Sequence, residues 1–209
     1  MSEDPRAALV VRTLKETAAA HERMAANVES VVAVADAITK SLKQGGSVLV
    51  FGNGGSAADA QHFAAELVGR YEKERKGWPA VALTTDTSAL TAIGNDYGFE
   101  RVFARQIEAL GRRGDLLVAM TTSGRSPNVL EAVRAARARG LAVIGMTGGG
   151  GAAFARRCDA ALVVPSRETA RIQEVHLLVG HILCERAEDV ARTRRSKEGG
   201  PRRARKRRR

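Results

Sequence analysis

Apolar and polar positions along the chain follow two alternating periods. Short apolar runs at Ser47 to Phe51, Ala80 to Leu83, Asp115 to Met120, Ala142 to Met146 and Ala160 to Val164 are strand-sized and rich in branched residues, the mark of strands covered on both faces. Between them the apolar residues recur at three and four positions. That spacing predicts helices at Ser56 to Arg70, near Ser88 to Asn95, Glu100 to Leu110, Pro127 to Arg139 and Glu168 to Ala191, with a short one near Ala152 to Arg157. Ahead of the first strand, Leu9, Leu14 and Ala18, then Val28, Val31, Val32, Ala35, Ile38 and Leu42, predict two helices within Pro5 to Gln44, stopped by Gly45-Gly46. Five strands separated by helices require crossovers, so the expected fold is a parallel, doubly wound sheet with ligands at the strand carboxyl ends.

Two turns fall at such ends. The first strand leads into GNGGSA (Gly52 to Ala57) and the third into TTSGRSPN (Thr121 to Asn128), and each opens a helix. A helix start offers unpaired N–H groups and the positive end of its dipole, a setting for an anionic ligand. In the second turn Ser126 is the expected N-cap with Pro127 at the first helical position, and the hydroxyls of Thr121, Thr122, Ser123 and Ser126 crowd one helix start beside Gly124. They form the candidate phosphate cradle. Asn53 and the amides of Gly54 and Gly55 suit a sugar-sized ligand, while Ser56 and Asp59 read as a capping pair.

The first turn also matches the dinucleotide pattern Gly52-x-Gly54-x-x-Ala57, but no acid ends the following strand about 20 positions on, and Asp86 lies too far along. Gly148 to Gly151 lacks the Lys and Ser/Thr of a P-loop and is expected to be a flexible loop.

Acid-base and metal-binding groups sit on two helices. His62 and Glu66 are four apart, on one face, just beyond the first turn. The last helix carries Gln173, Glu174, His176 and His181, and spacing alone does not choose between its histidines.

Composition narrows the class. At 209 residues with 44% hydrophobic content the chain supports one domain, expected over 1–191. No run is long enough for a membrane span, no secretory pattern opens the chain, and Cys158 and Cys184 lack metal or disulfide spacing, so a cytoplasmic protein with reduced cysteines is expected. The formal charge of +11 is concentrated at one end: 192–209 holds eleven of the 34 Lys and Arg against one acid, Glu198. The rest is nearly neutral. That stretch is expected to be a disordered basic tail able to bind polyanions weakly and salt-dependently.

The blocks GNGGSAADAQHFAAELVGRY (Gly52 to Tyr71), LTTDTSALTAIGNDYGFE (Leu83 to Glu100), TTSGRSPNV (Thr121 to Val129) and RIQEVHLLVGHILCE (Arg171 to Glu185) are similar to the sugar isomerase (SIS) fold family, and within it resemble the bacterial phosphoheptose isomerases. The resemblance covers nearly all of 1–190. It implies a flavodoxin-like three-layer αβα sandwich, a homotetramer with N- and C-terminal helices between subunits, and active sites near the interfaces. It implies conversion of D-sedoheptulose 7-phosphate, a phosphorylated seven-carbon sugar, to D-glycero-D-manno-heptose 7-phosphate, the first step towards nucleotide-activated heptose.

By the same resemblance, Thr121, Thr122, Ser123 and Ser126 hold phosphate, and Asn53, Gly54, Gly55, Asn95 and Asp96 contact the sugar. His62, Glu66, Gln173 and His181 match a zinc site, one ion per subunit, which selects His181 over His176. Glu66 is the implied carbon base and His181 the oxygen acid-base, with Glu66 and Gln173 also facing substrate. Two departures stand out: Thr121 where serine is common, and Ala170 where some relatives carry an acid. The main alternative is a replication-initiator-associated, non-enzymatic branch of the same fold, whose members tend to lack the residues matching Glu66 and His181. An amino-sugar isomerase or etherase commonly needs a longer chain.

Overall fold

The computed structural model describes residues 4–198 of the chain. Two helices, α1 (Pro5–Ala25) and α2 (Val28–Lys43), precede a β/α alternation. It runs β1 (Val48–Gly52), α3 (Gly55–Val68), β2 (Ala80–Ala82), α4 (Thr87–Tyr97), a 3-10 turn at Phe99–Arg101, α5 (Ala104–Leu110), β3 (Leu116–Thr121), α6 (Pro127–Arg139), β4 (Ala142–Gly148), α7 (Ala152–Ala155), β5 (Ala160–Val164) and α8 (Thr169–Glu198). The strands make one parallel sheet in the order β2-β1-β3-β4-β5. No helix among the described residues is long and apolar enough to cross a membrane.

Successive side chains of a strand point to opposite faces, and the core divides accordingly. Val48, Val50, Leu116, Val118, Met120, Ile144 and Met146 pack beneath α1, α2, α3 and α8. Leu49, Phe51, Leu117, Ala119 and Val143 pack beneath α5, α6 and α7. Three layers result, as expected from the sequence. Burying a side chain such as Leu117 contributes roughly 1.5–3 kcal/mol, which is why runs apolar at every position settle in the middle layer.

Helix ends follow local chemistry. The Asp4 carboxylate accepts from the Arg6 amide at 2.9 Å, and Asp86, set aside as a ribose ligand above, caps α4 by accepting from the Ala89 amide at 2.9 Å. α6 stops at Gly140, which adopts a left-handed φ of 77° and leaves Leu141 N–H to donate to the Ala136 carbonyl.

Four expectations need correction. Ser56 does not cap α3: the cap residue is Gly54, at φ 57°, and Ser56 is tucked beneath Gly52 in the first turn. The helix expected over Glu100 to Leu110 is broken, because Val102 and Phe103 both turn into the core between the 3-10 turn and α5. Gly148 to Gly151 is a tied corner instead of an open loop, with Gly148 N–H donating to Thr122 and Gly149 N–H to Ser166. The last helix passes the expected boundary at Ala191 and runs to Glu198, so the first part of the basic stretch is helical; 199–209 lie outside the described residues.

Candidate active site

The order β2-β1-β3 places a topological switch point between β1 and β3, since the chain leaves β1 towards one edge and β3 towards the other. In open parallel sheets a crevice forms there, at the strand carboxyl ends. Gly52 of β1 is in register with Met120 of β3, so the Gly52 to Ala57 and Thr121 to Asn128 turns face each other across it. α3 leaves on one side of the sheet and α6 on the other.

A pair of asparagines joins the two turns. Asn53 Nδ2 donates to Asn128 Oδ1 at 2.9 Å, and Asn128 Nδ2 returns a bond to Asn53 Oδ1 at 2.8 Å. Asn128 is buried and was not singled out among the candidates; a polar residue in the first turn of α6 was its only signal.

The hydroxyls of the second turn shape it from within. Thr121 Oγ1 accepts from the Gly124 amide at 3.2 Å and Ser123 Oγ from the Arg125 amide at 3.2 Å. Ser126 is the N-cap residue with Pro127 following, yet its hydroxyl makes no capping bond to the helix. Thr122, Ser123 and Ser126 are half-buried and Thr121 is buried. Gly124 has φ 66°, a conformation that favours glycine, and a Cβ there would meet Gly151 at 2.8 Å.

α8 returns over the first turn. The Gln173 carboxamide lies 2.5 Å from where a Cβ on Gly55 would stand, so a side chain there would displace the carboxamide from the start of α3. Further along the two helices, His62 Nε2 and His181 Nε2 are 2.9 Å apart, their rings edge to face with centroids at 5.2 Å. Glu66 Oε1 lies 3.7 Å from His62 Nε2. The Tyr71 ring stacks on His181 at 5.5 Å with planes 21° apart, a neighbour no spacing rule in the sequence pointed to.

A small, nearly filled pocket beside this cluster is lined by His62, Glu66 and His181 together with Asp59, His176 and Cys184. His176 lies beneath, 1% exposed, with neither ring nitrogen hydrogen-bonded, and burial pushes its pKa down to about 4 while the Thr147 backbone acts weakly the other way. Burial raises the Asp59 carboxyl, against a lowering by His62. Burial also pushes the two free thiols up, Cys158 to about 11 and Cys184 to about 12, so both are inert.

His62, Glu66 and His181 therefore meet within one chain, and Gln173 sits over the first turn. Asn95 and Asp96 do not join them by a hydrogen bond: Asn95 Nδ2 donates to Asp96 Oδ1 at 2.8 Å on α4, a helix without a buried residue that packs chiefly against the 3-10 turn. Among the described residues no three His, Cys, Asp or Glu side chains gather as a metal cluster. Two imidazoles, a carboxylate and a carboxamide are donor types that a borderline divalent ion accepts, and here the two facing Nε2 atoms are held in a hydrogen-bonding arrangement.

Comparison with known proteins accords with this geometry. The family model described as SIS domain matches residues 14–148. A phosphoheptose isomerase of Rhodospirillum rubrum is 56% identical over 161 residues, 77% of this chain and 86% of the relative. One from Bradyrhizobium sp. (strain ORS 278) is 54% identical over 183 residues, 86% of this chain and 92% of the relative. Among solved structures, the phosphoheptose isomerase of Neisseria gonorrhoeae superposes with a TM-score of 0.81 at 48% identity, covering 86% of this chain and 97% of that one. That of Francisella tularensis gives 0.85 at 39% identity, covering 90% and 100%.

Proposed function

The chain belongs to the SIS-domain family and, within it, to the phosphoheptose isomerases, and from that premise we propose that the β1/β3 crevice with the His62, Glu66 and His181 cluster is its active site. The reaction is conversion of D-sedoheptulose 7-phosphate to D-glycero-D-manno-heptose 7-phosphate. This membership displaces the non-enzymatic initiator-associated alternative. The observation that carries the site assignment is the convergence of His62 and His181 from two helices, 2.9 Å apart, with Glu66 beside them.

Moving a carbonyl from C2 to C1 requires a base for the C1 proton, stabilisation of the enediolate, and an acid-base to shift protons between the oxygens. Glu66, partly exposed to the cavity, is the proposed carbon base, and His181, with a ring nitrogen turned to the same point, the proposed oxygen acid-base. The phosphate is assigned to the second turn, where Thr121, Thr122, Ser123 and Ser126 surround the start of α6, and the sugar hydroxyls to Asn53, the Gly54 and Gly55 amides, and Gln173. The Asn53–Asn128 pair keeps these subsites at a fixed separation. Zinc, one ion per subunit, is the proposed cofactor, with His62, Glu66, Gln173 and His181 as its ligands. When bound it would polarise the substrate carbonyl.

A homotetramer is proposed because several large apolar side chains are uncovered in a single chain: Leu9, Val10, Val11 and Leu14 on α1, Tyr97 at the end of α4 and Phe99 in the following 3-10 turn, and Leu177, Leu178 and Ile182 on α8. A neighbouring subunit would cover them and bring Asn95 and Asp96 to a site. The proposed compartment is the cytoplasm, in keeping with two unpaired cysteines, and the proposed role is the supply of heptose phosphate for nucleotide-activated heptose. Incubating the purified protein with D-sedoheptulose 7-phosphate, with and without a chelator, tests both levels. Product formation is expected, with loss on chelation restored by zinc; no product under either condition overturns the assignment.

A further inference from the structure

Glu188 and Arg75 are opposite charges held below the surface, their side chains only 1% and 7% exposed. Glu188, on α8 two turns beyond His181, receives bonds on both oxygens. Oε1 accepts from the Tyr71 amide at 2.9 Å and Arg75 Nε at 3.1 Å; Oε2 accepts from the Glu72 amide at 3.1 Å and the Lys73 amide at 2.7 Å. Burial alone would raise the Glu188 carboxyl, but the Lys73, Tyr71 and Glu72 amides and the Arg75 charge outweigh it, so its pKa is lowered and it stays ionised.

The far side of the Arg75 guanidinium is turned to α3. Nη2 donates to the Glu66 carbonyl at 2.7 Å and Nη1 to the Leu67 carbonyl at 2.9 Å, while the group lies 3.7 Å over the Trp78 ring. These carbonyls belong to the last turn of α3, which has no intrahelical donors for them. One arm of the pair thus holds the turn that carries Glu66. The other holds the backbone from which the Tyr71 ring stacks on His181.

Desolvation offsets much of the attraction in a buried ion pair, so stability alone is a weak reason to keep one, whereas its fixed geometry can set the position of what it holds. We propose that the Glu188–Arg75 pair is a positioning device that sets the spacing of Glu66 and His181, through the end of α3 and through the Tyr71 ring. This rests on the reading of Glu66 and His181 as the reacting groups. Neither Glu188 nor Arg75 belongs to the two ligand-binding turns, so their influence falls on turnover and leaves substrate affinity alone.

The test is steady-state isomerisation of D-sedoheptulose 7-phosphate by the full-length zinc-loaded enzyme, well below each variant's melting midpoint. Glu188→Gln keeps the side-chain shape but sets an NH2 group against backbone N–H donors. With rates normalised to the folded, zinc-loaded fraction of each preparation, it should lower kcat by at least ~10-fold with KM within ~2-fold, and that normalisation removes any contribution from a smaller folded fraction. Tyr71→Leu should show the same split, and Tyr71→Phe, which keeps the stacked ring, should stay within ~3-fold of the unsubstituted enzyme. Unchanged kcat in a folded Glu188→Gln with a lowered melting midpoint overturns the proposal. So does Tyr71→Phe as impaired as Tyr71→Leu, which would put the hydroxyl in the chemistry. If Glu188→Gln does not fold, the two Tyr71 variants decide the matter. Glu66→Gln and His181→Ala are measured alongside: activity in either sinks the underlying reading, whereas their inactivity beside a normal Glu188→Gln or Tyr71→Leu sinks only the positioning role.

Discussion

Asn53 and Asn128 exchange two amide hydrogen bonds, 2.9 and 2.8 Å, and so fasten the turn after β1 to the first turn of α6 across the switch point of the sheet. Each is the other's partner, and truncating one leaves a partly buried amide unpaired, at a cost of about 1–3 kcal/mol. Asn128→Ala should lower unfolding free energy by that amount and raise KM for the sugar phosphate several-fold. In a double-mutant cycle the Asn53→Ala and Asn128→Ala effects should be strongly non-additive. Additive losses in urea melts would mean that the pair does not couple the turns.

All five strands and the doubly wound class were legible in the sequence: β1 and β3 are covered on both faces, which leaves little choice of residue, and the edge strands β2 and β5 keep short branched runs although Val81 is exposed. The Glu100 to Leu110 helix was misread because Val102 and Phe103 both serve the core, a demand set by α6 and the sheet. The two turns were visible as strings of Gly and hydroxyl residues. Their mutual bond was not, since it follows from the strand order, which brings residues 75 positions apart together. Tyr71, Arg75 and Glu188 were illegible for the same reason: the loop after α3 reads as merely polar until α8 is folded over it. The choice of His181 over His176 came from resemblance, and the structure sets His181 opposite His62 with His176 enclosed below.

The phosphate assignment predicts a KM effect. The Ser126 hydroxyl makes no capping bond to its own helix and Ser123 shapes the turn through the Arg125 amide. Ser123→Ala combined with Ser126→Ala should raise KM for D-sedoheptulose 7-phosphate by about 10–100-fold with a smaller change in kcat. An unchanged KM would place the phosphate elsewhere.

Glu66→Gln and His181→Ala should each reduce kcat at least ~10³-fold, because they remove proton transfer from different atoms of the substrate. Circular dichroism and sedimentation should be unaltered, since both side chains face the cavity and neither belongs to the core. Rates within tenfold of the unsubstituted enzyme would reject the assigned roles.

The basic stretch predicts a separable property. Residues 199–209 include seven of the chain's 34 Lys and Arg and no acid. Removing them should leave isomerisation unchanged and abolish salt-sensitive retention on an immobilised polyanion such as heparin. Equal elution of both proteins across a salt gradient would show that the stretch binds no polyanion, and lost turnover would tie it to the site.

His176 predicts how stability responds to acid. Its ring is enclosed with no hydrogen-bond partner, and burial lowers its pKa from an ordinary 6.5 to about 4. Between these values the unfolded chain takes up a proton that the folded chain refuses. The contribution of the neutral ring is therefore complete above pH 6.5 and is lost as pH falls towards 4, to the extent of about 3 kcal/mol. Asp59, Glu66, His62 and His181 line the same pocket in both proteins compared, so the informative quantity is a difference. His176→Met fills the space without a basic nitrogen. Urea unfolding at fixed protein concentration should show the unsubstituted protein losing more stability than the variant between pH 7.5 and pH 4.5, two conditions chosen to bracket most of that window. Parallel pH dependences would mean that the enclosed imidazole finds a way to hold its proton in the folded state.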